Sequence, residues 1–247
     1  MRMWMFGWAL LALACSDPEA SEAGDGGEVS DAAADARGLE DGGQPGDGPV
    51  ATPDAEVLPP GLLDPTLARA TAPATFTVRF ETTAGEVLVD FTRAWAPEGV
   101  DRIYTLVRIG YFDDTAFFRV LPGFIAQVGI HGDPAVNAVW SRAAIPDDPV
   151  TQSNARGTVT FATAGPNTRT TQIFFNYGNN AGLDGQGFAP LGRVQDLAAL
   201  EALYADYGEG PPQGAGPEQQ RIQTEGNTYL RARFPELDYI TRARVVP

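Results

Sequence analysis

Between residues 75 and 92 apolar and polar side chains alternate. Phe76, Val78 and Phe80 are followed by a turn at Thr83-Ala84-Gly85, then by Val87, Val89 and Phe91. A period of two sends such residues to one face, so the segment predicts a β-hairpin with one buried side. The period then lengthens. Val100, Ile103, Tyr104 and Val107 fall three or four apart behind Ala96-Pro97-Glu98, and Gly110 follows. That predicts a helix with proline in its first turn, acids at its positive end and a glycine stop.

Beyond Tyr111 the pattern is short and strand-like, broken often by turns. Strands are expected at 116–121 and 124–129, on either side of Pro122-Gly123, then at 158–163, 172–176 and 237–246. A strand at 187–194 is interrupted by Pro190. A second helical period runs through Leu197, Leu200 and Leu203, and 208–216 reads as a Gly/Pro loop. Two helices among many short strands predict a mainly β fold, a closed or nearly closed barrel with helices at its ends.

The first 70 residues look different. At 1–14, Arg2 precedes an apolar run of about a dozen residues, shorter than the ~30 Å core of a bilayer needs. Such a run has the dimensions of an export signal. Cys15, the one cysteine, follows Ala12-Leu13-Ala14. This resembles the lipobox of bacterial lipoproteins, which implies a lipid anchor at Cys15; the pattern prefers Leu where Ala12 stands. Residues 15–70 are rich in Asp, Glu, Gly, Ala and Pro. Low hydropathy with high charge cannot offset ordering entropy, so this stretch is expected to be a disordered tether about 40 Å across. The domain is then expected over 71–247.

Charge narrows the function classes. The net charge is −15, of which −12 lies on 16–64 and only −4 on 65–247; every one of the 17 basic residues is arginine. No basic face of the kind phosphate backbones need is implied, so nucleic acid is not an expected partner. His131 is the sole histidine and lacks companions for a metal site or triad. Asp113-Asp114 and Asp147-Asp148 read as turn acids.

Two segments carry specific chemistry. One is Phe117-Phe118-Arg119-Val120-Leu121-Pro122-Gly123-Phe124-Ile125-Ala126-Gln127. The other is Phe161-Ala162-Thr163-Ala164-Gly165-Pro166-Asn167-Thr168, followed by Gln172-Ile173-Phe174-Phe175 and Leu183-Asp184-Gly185. They resemble the cyclophilin-family patterns Phe-His-Arg-(apolar)-(apolar)-Pro-Gly-Phe-(apolar)-x-Gln and Met-Ala-Asn-Ala-Gly-Pro-Asn-Thr with Ser-Gln-Phe-Phe. The resemblance spans roughly 75–247. It implies a closed eight-stranded antiparallel β-barrel capped by two α-helices. It also implies a monomeric peptidyl-prolyl cis/trans isomerase acting on proline-containing polypeptides, without metal or cofactor.

The reaction explains the residue types. Rotation about an X–Pro bond is slow because amide resonance imposes a barrier of ~18–20 kcal/mol. No bond breaks, so no nucleophile is required. In the twisted state the prolyl nitrogen regains a lone pair that can accept a hydrogen bond. An arginine is a permanent donor with a planar fork, aimed at charge that develops only in the transition state. The resemblance gives that role to Arg119, with Gln127 holding it. It assigns Phe124, Ile125, Phe174 and Leu183 to the proline floor, and Ala162, Thr163, Ala164 and Gln172 to the grip on the preceding residues.

The chain also departs from the family pattern. Phe118 replaces a His, Thr163 an Asn and Ile125 a Met. Gly182 stands where a Trp is frequent, and Phe188 is the candidate to fill that gap. Gly182 and Thr163 keep an alternative open: a non-catalytic proline-peptide binding module on a lipid tether.

Overall fold

The computed structural model describes residues 58–246. The expected export signal, Cys15 and most of the acidic stretch lie outside the described residues. Residues 58–70 rest on the domain. A single helical turn, α1 (Pro60–Leu63), buries Leu62, whose carbonyl accepts from Trp140 Nε1 at 3.0 Å. Ala70 N and Ala72 N donate to Thr105 Oγ1 and Asp101 Oδ1.

The hairpin forms as its alternation demands. β1 (Thr75–Thr82) and β2 (Gly85–Thr92) pair antiparallel, with Thr82 opposite Gly85. Their apolar residues bury one face, while Thr77 and Asp90 bond across the other. α2 (Pro97–Arg108) buries Val100, Ile103, Leu106 and Val107. Burying each such side chain is worth about 1.5–3 kcal/mol. Its N-cap residue Ala96 offers no side-chain acceptor. Asp148 supplies one instead, accepting from Glu98 N and Gly99 N at 3.0 and 2.9 Å and pairing with Arg169. The acid at 148 is therefore structural.

Seven more strands complete one sheet: β3 (Thr115–Ala116), β4 (Arg119–Leu121), β5 (Ile125–Val128), β6 (Thr158–Phe161), β7 (Ile173–Asn176), β8 (Pro190–Val194) and β9 (Tyr239–Val246). Their order is β3-β9-β1-β2-β8-β6-β7-β5-β4, with every pair antiparallel. This corrects the closed eight-stranded barrel. The sheet has nine strands, curls into a half-barrel and stays open. The expected strand at 116–121 divides at Phe117-Phe118, where Phe117 N bonds Asp238 O and Phe118 packs into a separate cluster. The two edge strands β3 and β4 are thus joined through the chain, with no ladder between them.

The second helical expectation also changes. The period through Leu197, Leu200 and Leu203 yields only α4 (Ala198–Glu201), and two further helices, α3 (Pro134–Trp140) and the long α5 (Gln219–Arg233), are present. α5 is broken at Gly226, which has φ +59°. A Cβ there would lie 2.0 Å from Gly132 O, so only glycine allows α5 to sit against the loop before α3. Its residues Ile222, Tyr229 and Leu230, with Leu237, cover Phe118, Ala116 and Ile130 in a cluster separate from the main core.

Candidate active site

The pleat of β4, β5 and β7 sorts the candidate residues. Arg119 lies opposite Gln127, which lies opposite Phe174, and Ile125 is two residues from Gln127. These share one face of the sheet. Val120, Ala126, Val128, Ile173 and Phe175 point the other way into the main core. A period of two therefore places the arginine, the glutamine and the apolar floor side by side.

The side chains form a chain of hydrogen bonds. Arg119 Nη1 donates to Gln127 Oε1 at 3.1 Å, and Gln127 Nε2 donates to Gln172 Oε1 at 2.9 Å. The Arg119 guanidinium stands 5.9 Å over the Phe124 ring. Beside this polar row, Ile125, Phe174, Leu183 and Phe188 pack together, with Phe124 and Ala162 partly exposed at the margin. Phe188 meets Phe174 edge-on at 5.8 Å between centroids. It is part of the floor. Gly182 itself is exposed, and a Cβ added there would touch nothing within 4 Å.

The floor is supported from beneath by a buried polar network that the sequence did not disclose. Asn154 is fully buried. Its Nδ2 donates to Asp184 Oδ1 and Phe188 O, both at 2.8 Å, and its Oδ1 accepts from Thr160 Oγ1. Burial works to raise the Asp184 pKa, but bonds from Ser153 and Asn154 prevail and hold it below its usual value. This network fixes the turn at 181–188 that carries Leu183 and Phe188. Asn180 Nδ2 and Tyr177 N both donate to the Phe124 carbonyl, fixing that residue as well.

The other candidates are placed as follows. Ala162 N donates to Gln172 O, so that end of the groove is held by backbone. The Thr163 hydroxyl is turned into the next loop, donating to Gly165 O at 2.5 Å and bonding Thr168 Oγ1 at 2.9 Å. It also accepts from Gly165 N, so the hydroxyl is committed within that loop. Ala164 is exposed and donates its N–H to Thr168 Oγ1. His131 is 9% exposed and accepts from Asp133 N through Nδ1. Asp113 pairs with Arg244 and Asp114 with Arg231. All three are structural.

One partner of Arg119 was missed. Glu209 lies 90 residues on. Its Oε1 and Oε2 accept from Arg119 Nε at 2.8 and 2.9 Å, and Oε2 accepts from Nη2 at 2.6 Å. Phe118 is also explained. It lies in the cluster under α5, where an apolar ring packs and a polar one would lose its partners.

Comparison with known proteins bears on the family and the fold. The family model described as cyclophilin type peptidyl-prolyl cis-trans isomerase/CLD matches residues 77–211. Peptidyl-prolyl cis-trans isomerase-like 1 of Gibberella zeae is 32% identical over 127 residues, 49% of this chain and 76% of its own. Peptidyl-prolyl cis-trans isomerase ppi1 of Schizosaccharomyces pombe is 31% identical over 120 residues, 44% of this chain and 72% of its own. Among solved structures, a cyclophilin type isomerase of Cryptosporidium parvum aligns with a TM-score of 0.52 at 20% identity, covering 70% of this chain and 98% of its own. AquaCyp293 from Hirschia baltica aligns with a TM-score of 0.51 at 18% identity, covering 72% and 76%. Both structural likenesses speak to the fold.

Proposed function

The chain belongs to the cyclophilin-type peptidyl-prolyl cis-trans isomerase family, an enzyme family; on that premise we propose that it accelerates X–Pro rotation in exported proteins, with Arg119 stabilising the twisted amide. The observation that carries the mechanism is the row Arg119–Gln127–Gln172 beside the floor of Ile125, Phe174 and Leu183. A prolyl ring seated on that floor brings its nitrogen towards the guanidinium. Gln127 holds the fork in place, so little reorganisation is needed when the nitrogen pyramidalises. The Ala162 backbone and Gln172 grip the residue before the proline in an extended form. A related Cryptosporidium parvum structure was determined in the presence of the dipeptide Ala-Pro, which supports proline-containing peptides as the substrate class.

Export and a lipid anchor at Cys15 belong to the same proposal. They rest on the apolar run at 1–14 and on Cys15 following Ala12-Leu13-Ala14. Among the described residues no helix is long and apolar enough to cross a membrane.

Exchange spectroscopy on an Ala-Pro-containing peptide tests the catalytic part. Wild type is expected to produce cis–trans exchange peaks that Arg119→Ala does not. Peptide shifts without exchange in wild type would favour the binding-module reading that Gly182 and Thr163 keep open.

A further inference from the structure

Glu209 holds Arg119 by its Nε/Nη2 edge through three contacts of 2.6–2.9 Å. Three of the five guanidinium N–H groups are thereby committed, counting the one given to Gln127. The arginine side chain is left 10% exposed, while that of Glu209 is 30% exposed. We propose that Glu209 is a latch on the active site, which a prolyl peptide must release before Arg119 becomes fully available; this rests on the isomerase reading of Arg119 given above.

The loop is built to present this carboxylate. Gly216 N donates to Glu209 O at 2.8 Å, and Gly210 N donates to Glu209 Oε1 at 3.1 Å. Cβ atoms at Gly214 and Gly216 would lie 2.2 and 2.9 Å from Glu209 O, so the chain folds closely about this residue. At its base the loop is pinned by Tyr207, whose ring meets Tyr204 at 4.9 Å and Phe234, just after α5, at 5.0 Å. Pro211 and Pro212 are exposed. The loop therefore reaches the site through Glu209, and its own prolines stay in solvent.

The electrostatics oppose catalysis while the latch is closed. A donor stabilises the twisted state through net positive charge aimed at the prolyl nitrogen. A carboxylate in contact with that guanidinium cancels much of the field, and does so more effectively where water is excluded. Release is feasible because Glu209 is already partly exposed and regains hydration, while Arg119 gains the peptide in exchange. If the open form makes up a tenth of the population, apparent affinity is weakened about tenfold.

The test compares full-length wild type, Glu209→Gln and Glu209→Ala in a protease-coupled X–Pro assay with KM and kcat separated. Both variants are expected to raise kcat/KM roughly tenfold, chiefly through a lower KM. An NMR titration with the same peptide gives a second reading. The wild-type Arg119 Nε–H resonance, assigned by its loss in Arg119→Lys, is expected to start at the position of a carboxylate-bound donor and move on binding to that seen in Glu209→Ala. Unchanged or reduced kcat/KM in both variants, with wild type active and dependent on Arg119, overturns the latch alone. Inactivity of all three proteins overturns the isomerase reading and the latch with it.

Discussion

Single residues decide how well the groove can grip a proline. Gly182 is the clearest case. The position is exposed, and an added Cβ meets nothing within 4 Å. A larger side chain there has room, and in the family pattern a Trp forms one wall of the proline pocket. Gly182→Trp is therefore expected to fold normally and to lower KM for X–Pro peptides by about 2–10-fold, the worth of one aromatic contact of about 0.5–1.5 kcal/mol. A steady-state assay checks this; an unchanged or higher KM would show that Phe188, packed on Phe174, already occupies the wall. Arg119, Gln127 and Phe174 were legible as neighbours because their motifs are long and the pleat fixes their spacing; Leu183 joins them from the turn at 181–186. Glu209 was not legible. It is one acid in a Gly/Pro loop, and no period links it to a residue 90 positions earlier. The committed hydroxyl of Thr163 was equally hidden, since a Thr in a turn reads the same whether it faces the groove or its own loop.

At the scale of elements, legibility followed periodicity. β1, β2 and α2 were readable because each keeps one period throughout and ends on a turn or glycine. α5 was not. Gly226 breaks it with a left-handed φ, so its apolar residues on either side of the break do not share one helical phase. Its buried residues Ile222, Tyr229 and Leu230 look scattered in sequence and come together only by packing on Phe118. The open sheet has a related cause. The segment from Ala116 to Leu121 reads as one strand, but Thr115 and Ala116 pair with β9 while the ladder to β5 starts only at Arg119, a change of partner that no periodicity in the sequence records. Beyond residue 211, where the family match ends, α5 and its loop supply both the cover over Phe118 and the base on which Glu209 is presented.

For the whole molecule, one histidine sets the stability response near neutral pH. Burial pushes the His131 pKa below its ordinary value, opposed by the carboxylates of Asp133, Asp114 and Asp113, while the bond that Nδ1 accepts from Asp133 N favours the neutral ring. The unfolded chain binds a proton near pH 6.5 and the folded one only at lower pH. The unfolded state thus holds more protons in that window, and stability falls as pH drops through about 6.5 towards the folded value. The urea midpoint of wild type is expected to fall between pH 7.5 and 5.5. His131→Asn keeps an acceptor for Asp133 N and is expected to fall less; equal falls would place the response elsewhere. The N-terminal proposal has its own check. The mass of the native N-terminal peptide is expected to show lipidated Cys15, and a mature chain beginning beyond Cys15 would end the anchor.

The central claim is that this half-barrel uses Arg119 to ease rotation about X–Pro bonds. The most direct test is kcat/KM of the full chain in a protease-coupled X–Pro assay, wild type against Arg119→Ala. Removing one aimed donor is expected to lower the rate by on the order of 10²–10³, while folding is retained by circular dichroism. An Arg119→Ala protein as fast as wild type, or a wild type no faster than buffer, would contradict the account.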